Sequence, residues 1–333
     1  KIENQSSSDW IKKEIQELKK LKNLEIKTRT SVAAFHGYNY LLARENLTDH
    51  LEKKEKQGKI RQRLLKIRAK KVILATGALE RPLIFNNNDR PGIMLSSAVK
   101  KYADFYGVVS GKKNVFFTNN DSAYESALCL HNKGIKVEAV IDIRENSDSK
   151  IVKAVKDAGI PIHWSHTIVD TKGYKRLNSI SAMKLSNDGS SVTGSKIDIV
   201  CDCLGVAGGW TPAVHLFTQS GGKLTFDETN KVFLPNKYPS EQISVGSCNG
   251  DFKIKEIINN LSINLKEFLN IEKTDFDNVT IESEDDNSKR NIWLLPSDKP
   301  LGKTKPFVDY QNDATAKDIK LALREGFRSI EHV

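Results

Sequence analysis

The chain has 333 residues, of which 38% are hydrophobic and 28% are charged, and its formal net charge is +10. This length allows two domains and part of a third, and the composition is that of a globular protein rather than a disordered or fibrous one. No apolar run approaches the roughly 20 residues of a membrane-spanning helix, so we expect no membrane partner.

The positive charge is concentrated at the start of the chain. Residues 1–70 hold 18 Lys and Arg against 9 Asp and Glu, which accounts for +9 of the +10. The basic residues cluster in 12–22 and 53–71 with glutamates among them, a pattern typical of solvated helix or hairpin surfaces. Because no nucleic-acid-binding motif accompanies them, the sequence argues against a nucleic-acid partner.

The four cysteines are too few for a disulfide framework and indicate a reducing, cytoplasmic location. Cys201 and Cys203 are separated by one residue of an apolar strand, which predicts two buried thiols on the same face. Cys248, beside a small-residue turn, is the one candidate for a reactive thiol. No C-x-x-C pair is present, which argues against dithiol–disulfide chemistry.

The first predicted element is an amphipathic helix over Asp9–Leu21, for which Asp9 is the expected N-cap. Two strands follow, separated by a turn at Gly37-Tyr38-Asn39. A charged hairpin tip at 50–62 then leads to two further strands, the second of which is the buried segment Val72 to Leu74. The proline-bounded loop 81–91 is expected to cross between domains.

Residues 115–142 have the outline of a nucleotide-binding βαβ unit, but the turn that should carry G-x-G-x-x-G reads Thr-Asn-Asn-Asp-Ser-Ala. Backbone N–H groups at a helix N-terminus attract anions, but the charge of Asp121 would oppose a phosphate. We expect Asp121 or Ser122 to cap the helix and interpret the turn as a retained scaffold. Two roles stay open for Asp142, namely a ribose-binding acid and a surface partner of Arg144.

This βαβ domain lies between two stretches whose strands end in small-residue turns. That order predicts an α/β fold of the two-dinucleotide-binding-domain flavoprotein type, a Rossmann-type domain interrupted by a second βαβ domain, plus the start of a small helical module. The predicted parts are the first domain (1–107 and 201–272), the inserted nucleotide-binding-like domain (108–200), a linker (273–296) and the module (297–333).

The two small-residue turns are the candidate cofactor sites. In the first, Ala75, Thr76 and Gly77 would let a ribose or pyrophosphate approach the strand end, with a plain glycine turn as the alternative. The second holds Gly246, Asn249 and Gly250, with Asp251 one step further. Folds of this type carry an acid where Asn249 stands, so tight flavin binding in the usual manner is not expected.

No catalytic residue is assigned, because no acid–base pair or nucleophile set is identifiable from spacing. His163 and His166 are expected on one strand, where this spacing places the two rings on opposite faces, so no metal site is predicted. Residues 252–333 contain no cysteine, which excludes an iron–sulfur site there.

Four segments together resemble the α subunit of heterotetrameric sarcosine oxidase: RAKKVILATGALERPLIFNNNDRPGIML, VFFTNNDSAYESAL, GGWTPAVHLFTQSGGKLTFDE and FVDYQNDATAKDIKLALREGFRSIEH. The resemblance implies an enzyme that oxidatively demethylates sarcosine to glycine, passes the one-carbon unit to tetrahydrofolate or releases formaldehyde, and turns oxygen into hydrogen peroxide. It implies a non-redox NAD in this subunit, FMN at the interface with the β subunit, FAD in the β subunit, and β, γ and δ partners.

On this resemblance we expect a fragment that lacks the N-terminal glycine-rich strand and the C-terminal domain that binds tetrahydrofolate. The turns at 75–77 and 246–250 would face the nucleotide, and the amine chemistry would take place in another subunit. Two alternatives stay open, namely a subunit of an N-methyl amino acid or proline-type dehydrogenase, and a scaffold without a working nucleotide site.

Overall fold

The computed structural model describes residues 2–239, 241–281 and 289–332, and its helices and strands are those of this part of the chain. The α-helices are α1 (Ser7–Leu18), α2 (Lys53–Lys56), α3 (Ser96–Phe105), α4 (Ser122–Asn132), α5 (Lys150–Asp157), α6 (His215–Gln219), α7 (Ile254–Leu269) and α8 (Ala316–Arg324). Short 3-10 helices cover Gly246–Asn249, Asp275–Asn278 and Leu301–Lys303.

The strands are mostly short. They are β1 (Thr30–His36), β2 (Tyr40–Asn46), β3 (Gln62–Arg68), β4 (Val72–Leu74), β5 (Ala78–Glu80), β6 (Ile93–Leu95), β7 (Asn114–Thr118), β8 (Val137–Asp142), β9 (Ile162–Trp164), β10 (His166–Lys172), β11 (Ser179–Leu185), β12 (Val192–Val200), β13 (Cys203–Ala207), β14 (Trp210–Pro212), β15 (Lys223–Asp227), β16 (Val232–Lys237), β17 (Gln242–Ser244), β18 (Phe307–Asp309) and β19 (Ala314–Thr315).

The chain divides into two compact units, residues 1–79 with 211–284 and residues 80–210 with 285–333. The α/β fold, in which one domain is interrupted by another, is therefore confirmed. The unit boundaries at 80 and 210 differ from the predicted 108 and 200, because β6 and β13 both pair within the sheet of the second unit. The predicted linker includes 282–288, which lie outside the described residues, and the predicted module is part of the second unit.

The first unit is built around the parallel pair β4 and β17, with the antiparallel sheet β1-β2-β3 and the pair β15–β16. The turn between β1 and β2 lies where predicted, and Asn39 has a left-handed φ of +52°. Its side chain donates to the carbonyls of Lys70 at 3.1 Å and Glu241 at 2.9 Å, which ties the hairpin to the starts of β4 and β17. Helix α2 lies in the charged tip between β2 and β3.

Helix α1 begins two residues before the predicted start. Its N-cap is Ser6 rather than Asp9, since the Ser6 hydroxyl accepts from the backbone N–H of Asp9 at 3.1 Å. The Ser6 hydroxyl also donates to the Asp9 carboxylate at 2.7 Å. Asp9 therefore lies in the first turn, where the helix dipole favours an acid.

The second unit contains a five-stranded parallel sheet in the order β6-β13-β7-β8-β9. Side chains alternate between its two faces, as a period of two requires. Phe116 and Val140 pack against α3, α4 and α5, whereas Phe117 and Ile141 pack against the antiparallel sheet β10-β11-β12. The predicted βαβ unit is therefore β7-α4-β8, and β7 lies at the centre of the sheet.

Two pairs of residues differ from their predicted arrangement because strands end between them. Cys201 follows the end of β12 and Cys203 begins β13, so the two thiols are buried in different cores on opposite faces of the sheet. Burial raises the pKa of both thiols to about 12. His163 and His166 lie on separate strands with Ser165 at φ +52° between them, and their ring centroids are 5.7 Å apart.

Candidate functional site

The candidate site lies at the carboxyl ends of the parallel strands β4 and β17 in the first unit. The register pairs Leu74 with Ser244, and the N–H of Val245 donates to the carbonyl of Leu74 at 2.9 Å. Residues 75–77 follow β4 and residues 246–250 follow β17. The structure therefore brings the two predicted turns to the same edge, where α/β folds bind ligands.

The first turn is fixed by its own backbone. Gly77 has a left-handed φ of +74°, and a Cβ built there would meet no atom within 4 Å. The hydroxyl of Thr76 donates to the carbonyl of Ala213 at 2.7 Å, and the N–H of Ala213 donates to the carbonyl of Gly77 at 3.0 Å. Glycine is thus required by the backbone angle and leaves open space beside it, as an approaching cofactor needs. Toward a ligand, Thr76 can only accept a hydrogen bond.

The second turn is a short 3-10 helix that begins at the left-handed Gly246 and is followed by the left-handed Gly250. Gly246 has φ +70°, and a Cβ there would make an ordinary contact of 3.7 Å with Ile257. Gly250 has φ +96°, and its Cβ would lie 2.7 Å from a methyl carbon of Leu234. Gly246 is therefore compatible with a ligand-facing role, whereas a side chain at Gly250 would displace the end of Leu234. Asn249 is half-buried, and its side-chain amide forms no hydrogen bond within the described residues.

Cys248 lies in this turn, and its side chain packs against the ends of β4 and β17. It is 2% exposed, and its Sγ lies 3.2 Å from the carbonyl oxygen of Leu74 and 3.1 Å from that of Val245. A thiol held in this way is not accessible to a reagent, so the one candidate for a reactive thiol does not have the exposure that such a role needs.

Asp251 is a candidate that the sequence analysis left outside the site. One carboxylate oxygen accepts from the side-chain amide of Asn260 at 2.7 Å. The other, Oδ2, is buried and has no hydrogen-bond partner within the described residues. Burial raises the pKa of this carboxyl group. The signal in the sequence was the dipeptide Gly250-Asp251, an acid directly after the glycine of a strand-end turn.

The corresponding edge of the second unit, at the ends of β7 and β13, is filled by the protein itself. Asn119 and Asn120 are 1% and 4% exposed, and the Asn120 amide donates to Oδ1 of Asn119 at 2.8 Å. Asp121 is the N-cap residue of α4, as predicted, but its side chain forms no capping hydrogen bond. Oδ1 of Asn120 instead accepts from the N–H of Ser122 at 2.9 Å. The turn thus uses its polar groups internally.

A buried ion cluster occupies the N-terminus of α4. Arg144 contacts Asp121 and Asp142, each at 2.7 Å from its Nη2, and the Tyr124 hydroxyl donates to Asp142 at 2.7 Å. The side chains of Arg144 and Asp142 are 4% and 0% exposed. Burial raises the pKa of Asp142, and the guanidinium of Arg144 opposes that rise. Asp142 is therefore neither an open ribose ligand nor a surface residue, so both expected roles are wrong.

Residues 289–293 cover the same edge. The carbonyl of Arg290 accepts from the Asn119 amide at 3.1 Å, and its guanidinium donates to the carbonyl of Ile143 at 2.8 Å. The indole N–H of Trp293 donates to the carbonyl of Gly208 at 2.7 Å, just beyond β13. The retained-scaffold interpretation of this turn fits these contacts, because the polar groups of the turn bind other protein groups.

Metal binding and membrane insertion would each need a feature of their own, namely a cluster of ligand side chains or a long apolar helix. Across 2–239, 241–281 and 289–332, no three His, Cys, Asp or Glu side chains are grouped so as to hold a metal ion. Within the same part of the chain, no helix combines the length and apolar character needed to cross a membrane.

Comparison with known proteins supports the family resemblance over the whole chain. The chain is 34% identical over 343 residues to the sarcosine oxidase α subunit of Corynebacterium sp. (strain P-1), and 32% identical over 339 residues to that of Corynebacterium sp. (strain U-96). Each match covers 100% of this chain and 35% of the relative, so the chain spans about a third of the length of these relatives. Residues 303–333 match the family described as the sarcosine oxidase A3 domain.

Among solved structures, L-proline dehydrogenase from P.horikoshii is similar with a TM-score of 0.60 and 19% identity. The match covers 98% of this chain and 57% of that chain. At this identity the likeness concerns the fold alone, and it agrees with an α/β protein that contains a Rossmann-like parallel sheet.

Proposed function

We propose that this chain is the nucleotide-binding part of a sarcosine oxidase α subunit. The chain is related to such subunits along its whole length. The complete protein would oxidatively demethylate sarcosine to glycine, with the one-carbon unit passing to tetrahydrofolate or leaving as formaldehyde and oxygen becoming hydrogen peroxide. NAD would bind in this chain, FMN at the interface with a β subunit and FAD within the β subunit. The identities of 34% and 32% support this assignment.

The observation that carries the nucleotide proposal is the open edge of the first unit. The two small-residue turns follow neighbouring parallel strands and therefore lie at the same edge. Gly77 has free space on the side where a Cβ would project. Phosphate and ribose groups need this kind of close approach to the backbone. The second unit has the same type of edge, but its own side chains fill it.

The residues of the open edge would bind and orient the nucleotide. Thr76 has hydroxyl lone pairs left to accept from a ribose hydroxyl, and the Asn249 amide can both donate and accept. The family resemblance implies that NAD would supply binding energy and local order here rather than a redox step.

The test is the nucleotide content of the complete subunit, purified with its partners and then denatured. NAD and flavins are quantified by chromatography, and sarcosine-dependent hydrogen peroxide is measured on the same sample, with proline as the comparison substrate. We expect bound NAD, and activity with sarcosine rather than with proline. A preparation that retains flavin but releases no NAD would overturn the nucleotide assignment, and activity with proline alone would overturn the substrate assignment.

A matched pair of glycine variants locates the site. Gly77 and Gly58 share a φ of +74° with open space around a built Cβ, but Gly58 lies in the hairpin tip between β2 and β3. Gly77→Val and Gly58→Val therefore carry similar backbone strain. We expect the first to lose most of its NAD, because the side chain enters the approach path, and the second to retain it. Equal NAD content in the two variants would exclude the turn at 75–77 as the binding site.

A further inference from the structure

An apolar surface is exposed at the end of α3 in the second unit. This surface, here called the α3 patch, comprises Tyr102, Phe105, Tyr106, Val108 and Val109, which are 44%, 76%, 58%, 51% and 51% exposed. The ring centroids of Phe105 and Tyr106 lie 4.9 Å apart, and those of Tyr102 and Tyr106 lie 5.8 Å apart. A contiguous cluster of exposed aromatic and branched side chains is typical of a surface that another molecule covers.

A shallow, open groove lies beside the patch. Its volume is about 460 Å³, and its lining includes Met94, Tyr102, Val108, Ser110 and Arg176. Apolar side chains thus form most of the wall, with one hydroxyl and one guanidinium as polar groups. Grooves of this composition bind an apolar side chain and fix its orientation through a few polar contacts.

The groove wall is preformed. The N–H of Val108 donates to the carbonyl of Tyr102 at 2.9 Å, which folds the loop back on the helix end. The backbone N–H groups of Lys112 and Lys113 donate to the carboxylate of Asp202 at 3.1 and 2.8 Å. A partner that binds here therefore meets an ordered surface and does not have to order the loop on binding.

The charge around the groove is positive. Lys101, Lys112, Lys113 and Lys175 are exposed and form no ion pair within the described residues. The nearby acids are already engaged, since Asp104 lies 3.1 Å from Lys133 and Asp202 accepts two backbone hydrogen bonds. A complementary partner must therefore bring carboxylates around an apolar anchor.

We propose that the α3 patch and its groove dock another subunit of the assembly, through an acidic segment whose apolar side chain enters the groove. This rests on the proposed function, which supplies the multi-subunit complex. Aromatic anchors contribute most of the binding energy at such surfaces, and rim charges mainly set the rate of association and its salt dependence.

The first measurement compares hydrogen exchange in the complete α chain alone and in the assembled complex. We expect slower exchange over residues 102–113 in the complex, and a cross-link from Lys112 or Lys113 to an acidic segment of another subunit. Unchanged exchange over 102–113 would overturn the proposal. The proposal would also be overturned if exchange over 102–113 in the isolated α chain became slower as the concentration of that chain increased. The surface would then be covered by a second copy of the same chain.

Variants give the second measurement. We expect Val108→Asp to weaken assembly by about tenfold or more, since it places a charge in the apolar groove. Lys112→Glu combined with Lys113→Glu should weaken assembly less, and mainly at low salt. The control is Lys153→Glu on α5, which exchanges an exposed lysine away from the patch. Assembly equal to the control in all variants would refute the proposal.

Folding and nucleotide binding are followed on the same samples. A thermal melt shows whether each variant folds, and the double lysine variant keeps the test informative if Val108→Asp unfolds. NAD content separates the two proposals: NAD retained with lost assembly supports the patch, whereas NAD absent from the unmutated complex counts against the nucleotide site alone.

Discussion

Arg144→Met tests the claim that a buried ion cluster fills the edge of the second unit. The guanidinium is shared by Asp121 and Asp142, whose side chains are 7% and 0% exposed. Without it, Asp142 retains the Tyr124 hydroxyl and the backbone N–H of residue 144 as donors. Removing one partner of a buried ion pair costs about 3–5 kcal/mol, since the remaining charge is uncompensated. For a unit of this size the melting temperature should fall by roughly 6–20 °C at neutral pH.

The loss should depend on pH, with a sign fixed by Asp142. Burial raises the pKa of this carboxyl group in the folded protein above its ordinary value of 3.8, and Arg144 opposes the rise. Without Arg144 the folded-state pKa rises further. A carboxyl group with a raised folded-state pKa destabilises the fold progressively as pH increases from its unfolded to its folded pKa. The melting temperature of the variant should therefore be close to that of the unmutated protein at about pH 4, and the difference should be largest at pH 8.

The assay is thermal unfolding by circular dichroism across this pH range, with hydrogen exchange over residues 114–144 to locate the change. Lys153→Met, at an exposed position of α5, should change little. Combining Arg144→Met with Asp121→Asn and Asp142→Asn should recover most of the lost stability, because no buried charge remains. The reasoning would be refuted if Arg144→Met lowered the free energy of unfolding by less than about 1 kcal/mol at pH 8, or by the same amount at pH 4 and pH 8.

Two further predictions concern the second unit. Asn88→Ala removes the side-chain bonds to the N–H and C=O of Phe307, at 2.7 and 2.9 Å, and should cost about 1–3 kcal/mol. Hydrogen exchange over 305–309 should accelerate, and unchanged exchange would contradict this role. Burial raises the pKa of Glu80, so its ionisation destabilises the fold as pH rises from about 4.5 toward the raised value. Glu80→Gln should remove this decline, and identical pH profiles in thermal melts would disprove it.

The elements that the sequence predicts best are those whose periodicity is local. The unit β7-α4-β8 combines two apolar strands with a helix, and its predicted limits agree with the structure to within a few residues. The hairpin turn at Gly37-Tyr38-Asn39 was likewise predictable, because glycine and asparagine tolerate the conformations it needs. Both signals lie within a few neighbouring positions.

Elements fixed by distant partners were not predictable from local sequence. Strand β6 has three residues, too few to show a period, and it exists because it pairs with β13 more than a hundred positions later. The predicted domain boundaries differ from the unit boundaries for this reason. The contact of Asn119 with Arg290 spans 171 positions, and no feature of the sequence near Asn119 predicts it. Asp142 and Arg144 looked like a surface pair because charged residues are usually exposed.

The candidate site shows the same division between local and distant information. The small residues at 75–77 and 246–250 were visible in the sequence, and the parallel pairing of β4 and β17 brings them to one edge. The bond from Thr76 to Ala213 joins residues 137 positions apart, so the limited donor capacity of that hydroxyl was not predictable. The contact that a side chain at Gly250 would make with Leu234 is equally remote, and Gly246 has no contact as close.

The number of nucleotides per chain follows from the difference between the two edges. For a pyrophosphate to enter the second unit, Arg144 would have to leave its carboxylates or Arg290 would have to be displaced. Breaking the buried pair alone costs about 3–5 kcal/mol, which weakens binding by roughly two to four orders of magnitude. The first unit carries no such cost at Gly77, where the space is open. The denatured complex should therefore release one NAD for each copy of this chain, and a ratio of two would show that the second edge opens.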